Sequence, residues 1–315
     1  TYRTEQYTDG SRNPEVKFGT SIEEDLARRD FTMNAMAMGL NGEDSLIDPF
    51  DGLCDLRYGR LVFVGDANER IKEDPLRILR AIRFMSKYNY TIDINGEHAI
   101  HSNMGLLSTL SKERVSAELT KIFNGGISHY EAYNLLVDGG LMTSLLTPTE
   151  WWDYDYPKSF LPEIKKYKLE VNLALLTRSL FDGGAWLKRM KFPNEVVRVV
   201  ELFIDNMNNP PKDIVELKKL MVAFDKDKEA LDSYVRLLSF TQKKDFAFMY
   251  DTMLHVYDEP MRLSELALNG TDLVTLGYEG ERIGVTLEVL MDLVREHPEY
   301  NTRESLLKVL PPHKT

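Results

Sequence analysis

The chain has 315 residues, 43% hydrophobic and 28% charged, which suits a globular protein of two or three domains with a sizeable core. Its formal net charge of −11 argues against a nonspecific nucleic-acid binder, and no stretch approaches the roughly 18 apolar residues of a membrane span. A lone Cys54 excludes an internal disulfide and points to a reducing, cytoplasmic setting.

Residues 1 to 68 read as short strands and turns with one helix. Val16-Lys17-Phe18 and Leu61-Val62-Phe63-Val64 have strand character, and Asp9 to Pro14 is a polar turn. Glu23 to Asp30 is charged and suits a short helix or turn. Asp48-Pro49-Phe50 reads as a structural turn, so Asp48, Asp51 and Asp55 are not assigned to a metal. The rest has helical periodicity, over 73–89, 111–123, 128–138, 194–208, 213–224, 228–239, 243–256 and 283–296. Gly125-Gly126, Gly139-Gly140 and Pro210-Pro211 punctuate helix ends. Strands followed by many helices predict an α+β head on an all-α remainder. His98 and His101 lack the further ligands a closed zinc site needs, and Trp151 to Tyr156 reads as a packed aromatic loop. Gly277 to Gly284 reads as a turn into a helix.

The stretch from Ile71 to Arg83 carries the most chemistry. Pro75 follows two acids, as at a helix start. At about 100° per residue, Leu76, Ile78, Leu79 and Ile82 share one face. Glu73, Arg77 and Arg80 share another, with Asp74 and Arg83 on its flanks. Between Arg57 and Lys87 eight Lys or Arg stand against four acids, a basic seam in an acidic chain.

These residue types fit the edge of a nucleobase. Cytosine and adenine each present an amino donor beside a ring-nitrogen acceptor; uracil and guanine present the opposite pair. Aspartate only accepts and arginine only donates. Asp74 and Arg77, three residues apart, therefore match C and A and mismatch U and G. Each buried mismatch costs about 1–3 kcal/mol. Arg29, Asp30 and Asn34 suit ribose hydroxyls and phosphate, and Arg80 and Arg83 suit triphosphate oxygens.

In order and spacing, Asp25 to Ala37 (with Arg28-Arg29-Asp30), Ile47 to Gly52, Val64-Gly65-Asp66, the Glu73-Asp74-x-x-Arg77 block and Glu113 to Leu119 resemble the class II tRNA nucleotidyltransferases (CCA-adding enzymes) and the related bacterial poly(A) polymerases. Leu263 to Leu273 is similar to the tail of the Gram-positive-type CCA-adding enzymes. The resemblance implies a polymerase-beta-like nucleotidyltransferase head over 1–68, a nucleotide-selecting neck over 69–124, a helical body over 125–210 and a tRNA-binding tail over 211–315. It implies template-independent addition of C and A to the tRNA 3′ end, with CTP, ATP and Mg²⁺, and assigns Glu73 to nucleotide binding and Asp74 and Arg77 to base choice. A poly(A) polymerase, a single-specificity A-adding or CC-adding relative, and a non-catalytic RNA- or nucleotide-binding subunit are the alternatives. Family members begin with a Gly-Gly-x-x-Arg-Asp turn and an Asp-x-Asp metal pair. This sequence opens at Thr1-Tyr2-Arg3-Thr4-Glu5 without them, and Lys17 stands where many relatives carry an acid. The expectation is therefore a partial head that is inactive alone, with the metal ligands on a preceding segment or a separate polypeptide. No catalytic or metal residue is assigned.

Overall fold

The fold is taken from a computed structural model, which describes residues 4–6, 15–17, 21–39, 46–124, 134–136, 140–147, 169–178, 180 and 182–310. The expected polar turn at 9–14, most of the helix at 128–138 and the aromatic loop at 151–156 lie outside these. The chain divides into two compact units, Thr1–Arg198 and Val199–Thr315.

The first unit starts with strand pairs. β1 (Thr4–Gln6) pairs antiparallel with β2 (Glu15–Lys17), and β3 (Ala37–Met38) with β4 (Leu46–Ile47). Between them lies α1 (Ile22–Ala27), whose N-cap Ser21 accepts the Glu24 N–H. After α1 the chain runs extended through Asp30 and Phe31 beside residues 62–64. Thr32 N–H donates to Val62 O at 2.9 Å, and Val64 N–H to Asp30 O at 3.1 Å.

The Asp48-Pro49-Phe50 turn starts a helix, α2 (Gly52–Tyr58). Both Asp48 oxygens serve its open end, accepting Gly52 N–H at 2.7 Å and Leu53 N–H at 2.9 Å. Asp55 is buried, accepting the Thr32 hydroxyl at 2.8 Å and lying 2.8 Å from an Arg60 nitrogen. A Cβ on Gly52 would lie 2.1 Å from Thr32 O, so only glycine lets α2 approach the 32–34 turn this closely.

β5 (Arg60–Leu61) and β6 (Thr91–Ile92) form a parallel pair. The chain between them holds α3 (Ala67–Glu73) and α4 (Leu76–Tyr88). The periodicity predicts one helix from Glu73; the structure has two. Proline lacks an N–H and pushes the residue before it out of the helical region. Asp74 accordingly sits at φ −147°, ψ 96°, ending α3 one residue before Pro75. Glu73 closes one helix and Arg77 lies in the first turn of the next.

Helix α4 is the hub of the unit. Ile78, Leu79, Ala81, Ile82 and Met85 are fully buried, each large aliphatic side chain contributing about 1.5–3 kcal/mol by leaving water. It packs on α6 (Lys112–Asn124), which buries Val115, Leu119, Ile122 and Phe123. α5 (Ile94–Asn103) packs on α3. Phe31 joins the strand region to α4, with its ring 4.8 Å from Phe63 and edge-on to Phe84 at 5.6 Å. His98 and His101 are exposed on α5.

The second unit is helical, with helices Ile214–Ala223, Lys228–Gln242, Ala247–His255, Gly270–Thr275, Glu281–Glu296 and Arg303–Lys308. Buried Lys218 meets the Glu259 carboxylate and donates to Arg295 O at 2.5 Å. The Leu263–Leu273 segment is spent largely on caps. Glu265 accepts the Met261 and Arg262 N–H groups, and Asn269 and Asp272 each accept the other's N–H. Gly277 and Gly280, at φ 91° and 57°, make the turn before Glu281–Glu296. No helix among the described residues is long and apolar enough to cross a membrane.

Candidate functional site

The sequence-predicted residues collect where the 28–34 segment meets α3, α4 and α6. Three arginines one turn apart on α4 each take a carboxylate. Arg77 donates from Nη1 to Glu73 at 3.0 Å and to Arg70 O at 2.8 Å, and from Nη2 to Arg28 O at 2.9 Å. Arg80 donates from Nε to Asp30 Oδ2 at 2.7 Å. Arg83 Nε lies 2.9 Å from Glu118 Oε2, off the hydrogen-bond direction, so the contact is an ion pair in which both atoms keep bonding capacity. The Arg83 guanidinium also lies 4.5 Å from the Phe84 ring centre.

Asp30 is the best-held acid of the group. It is 7% exposed. Oδ1 accepts Phe31 N–H at 2.9 Å and Asn34 Nδ2 at 3.1 Å, while Oδ2 takes Arg80. Asp30, Asn34 and Arg80 thus form one cluster. Arg29 points elsewhere. It donates to Asp25 Oδ2 at 3.0 Å and is half-exposed, and Arg28 meets the other Asp25 oxygen. Burial pushes the Asp25 carboxyl up, but hydrogen bonds from Arg29 and Arg28 together outweigh it and hold the group below its ordinary value.

The side chains of Asp74 and Arg77 lie in one short stretch but do not bond each other; the Arg77 backbone N–H donates to Asp74 O at 3.0 Å. Asp74 faces α6, where one Arg114 nitrogen lies 3.0 and 3.1 Å from its two oxygens. The Asp74 Oδ1 also accepts Leu76 N–H at 3.2 Å. Arg114 and Glu118 belong to the Glu113–Leu119 motif but have no role assigned from sequence; their spacing of four residues on one helix face is the signal that marks them.

The basic seam is largely neutralised internally. Arg60, Arg70, Lys72, Arg77, Arg80 and Arg83 each have a carboxylate partner. Lys87 lies 4.9 Å from the Tyr88 ring centre. The alternation of acid and base binds the helices to the 28–30 segment, with Arg70 adding a bond to Ala27 O at 3.3 Å.

A CCA-adding enzyme of Latilactobacillus sakei is 31% identical over 98% of this chain and 78% of its own length. The chain belongs to the CCA-adding enzyme family. Another CCA-adding enzyme, from Lactococcus lactis, is 33% identical over 87% of this chain and 66% of its own. The poly A polymerase head domain model matches residues 1–62, and the model for a probable RNA- and SrmB-binding site of polymerase A matches 89–150. Glu73 to Arg83 fall between the two matches, whereas Arg114 and Glu118 fall within the second. The crystal structure of a Bacillus stearothermophilus CCA-adding enzyme in complex with CTP superposes with TM-score 0.74 at 27% identity, covering 98% of this chain and 77% of that one. That match supports the polymerase-beta-like nucleotidyltransferase fold.

Nucleotidyltransferases of this family use Mg²⁺. The described residues of this CCA-adding enzyme homologue do not fit that ion. Among them no three His, Cys, Asp or Glu side chains converge on a metal position. Asp48 is occupied by two backbone N–H groups and Asp55 by Thr32 and Arg60.

Proposed function

We propose that this chain serves template-independent addition of C and A to the 3′ end of tRNA, with CTP and ATP as donors and with Asp74 and Arg77 choosing the base. The observation that carries this reading is the break between α3 and α4. It sets an acceptor-only and a donor-only side chain three residues apart, each with bonding capacity left over. On Asp74, Oδ2 accepts from Arg114 alone, and on Arg77, Nε has no partner among the described residues. An amino group beside a ring acceptor, as on C and A, is matched by that pair.

In the same reading Glu73 steadies the Arg77 guanidinium; Asp30, its oxygens filled by Phe31 N–H, Asn34 and Arg80, orients Asn34 and Arg80 toward ribose and phosphate, and Arg29 reaches phosphate only by leaving Asp25. Arg80 and Arg83 receive the triphosphate. Arg80 spends Nε and Nη2 on Asp30 and keeps Nη1, and in Arg83 only Nε faces buried Glu118, leaving the terminal nitrogens for phosphate. Residues 1–68 act as head, 69–124 as nucleotide-selecting neck, 125–210 as body and 211–315 as tRNA-binding tail.

Equilibrium binding of the four ribonucleoside triphosphates, in the presence of tRNA ending before its CCA, tests the reading. CTP and ATP bind more tightly than UTP and GTP by roughly tenfold or more, the factor that one buried polar mismatch implies. Equal binding of all four overturns the base-edge assignment. Selective binding of ATP alone moves the chain to an A-adding or poly(A) activity.

A further inference from the structure

We propose that Arg114 is the positioning residue for Asp74 and, through it, a determinant of base selectivity. The inference rests on the reading of Asp74 as the acceptor for the base edge. Asp74 stands on extended backbone between two helices, where no helical turn restrains its side chain. Two donors from different directions fix the plane of its carboxylate. Leu76 N–H, in the first turn of α4, holds Oδ1 at 3.2 Å. Arg114, forty residues on, straddles both oxygens with one Nη2 nitrogen at 3.0 and 3.1 Å.

The count of donors then selects the reading edge. A carboxylate oxygen accepts about two hydrogen bonds. Oδ1 has both Leu76 N–H and Arg114, whereas Oδ2 has only Arg114. The open acceptor position is on Oδ2, so an amino group of C or A can join without displacing either anchor. Without Arg114 the carboxylate rotates about its own bond, and the open oxygen no longer has a set direction relative to Arg77.

Stability alone does not account for the pair. The side chains of Arg114 and Asp74 are 50% and 33% exposed, and exposed pairs contribute little. Arg114 also lies in the first turn of α6, where the helix dipole disfavours a cation. A residue that is locally unfavourable on its own helix and meets an acid from another is accounted for by that tertiary contact.

The test measures CTP/UTP discrimination by equilibrium binding for the full chain and for Asp74→Ala, Arg114→Ala, Arg114→Lys and the double variant Asp74→Ala/Arg114→Ala. Arg114→Ala lowers discrimination by roughly the tenfold that one lost polar match implies, and Arg114→Lys restores part of it, because an ammonium on a more flexible stem can still meet both oxygens but is held less firmly. Because Arg114 acts through Asp74, the double variant discriminates no worse than Asp74→Ala alone. Unchanged discrimination in Arg114→Ala, tighter CTP binding there, or a double variant in which the two losses multiply overturns the positioning role. Unchanged discrimination in Asp74→Ala instead overturns the base-edge reading. Should Arg114→Ala not fold, Arg114→Lys carries the test. Discrimination below the parent and no further loss on the Asp74→Ala background support the role; parental discrimination in Arg114→Lys with multiplicative loss in the double overturns it.

Discussion

Arg80 on α4 donates through Nε to Oδ2 of Asp30 at 2.7 Å, across fifty residues of sequence. This bond ties the Arg28-Arg29-Asp30 segment to the helix that follows the Glu73-Asp74 break. Arg77, one turn earlier, holds the same segment by its backbone, through Arg28 O at 2.9 Å. The two contacts tie the 28–30 segment to α4 at two points.

Removing Arg80 leaves a buried carboxylate with its Oδ2 unpaired. Arg80→Ala lowers stability by about 1.5–3 kcal/mol, the range for a hydrogen bond to a charged group. Arg80→Lys keeps part of it, since an ammonium reaches one oxygen but cannot reproduce the guanidinium geometry. Urea unfolding of the three proteins checks the order; equal midpoints contradict it.

If Asp74 and Arg77 read the base edge as proposed, Asp74→Ala and Arg77→Ala are expected to relax nucleotide choice. Each removes one side of the acceptor–donor pair, so discrimination against UTP and GTP falls by roughly 1–3 kcal/mol. Competition binding against CTP measures it. Full selectivity with weakened binding of all four nucleotides would place the two residues off the base edge.

Gly52→Ala is expected to be destabilising although it adds one methyl. The new Cβ would meet the Thr32 carbonyl oxygen at 2.1 Å, and backbone must move to admit it. The cost is about 1–3 kcal/mol, the usual penalty of overpacking. The shift in unfolding midpoint measures it, and a change in Phe31 packing by NMR marks where it lands. A neutral substitution would mean that α2 tolerates more space than the contact allows.

Acid sensitivity of the second unit follows from carboxylates held charged. Burial raises Glu265, but the Met261 and Arg262 N–H groups, with Lys226 and Arg262 nearby, together hold it below its ordinary value. Burial likewise raises Asp292, while Lys219 and Arg295 bring it down. A folded-state value below the unfolded one gives stability that is complete above about pH 4–5 and lost as pH falls through the folded value. The stability difference between the parent chain and Glu265→Gln should therefore be constant from pH 7 to 5 and shrink toward zero at lower pH. A difference that grows on acidification has the wrong sign for this account.

Much of the fold was legible in local patterns. The helix at 194–208 appears as read, because a sustained apolar stripe is decided by neighbours three and four residues away. Asp48-Pro49-Phe50 is the structural turn its composition indicated, with both Asp48 oxygens on backbone N–H groups. The break at Asp74 was missed, though its cause, Pro75, stood in the sequence. The periodicity places Pro75 in the first turn of a helix begun at Glu73, whereas its restriction on the preceding residue decides the geometry.

By itself the sequence determined which chemistry the α4 stretch offers: acids that accept, arginines that donate, and an apolar face that must be covered. It determined this because residue type and spacing set polarity and periodicity without reference to the rest of the chain. Only the tertiary structure decided the pairing. Asp30 meets Arg80, Asp74 meets Arg114 and Arg83 meets Glu118 across separations of 35 to 50 residues. Such distances are closed by the burial of α4 against α6 and Phe31, and a charge pattern carries no information about which of several opposite charges that packing will bring within 3 Å.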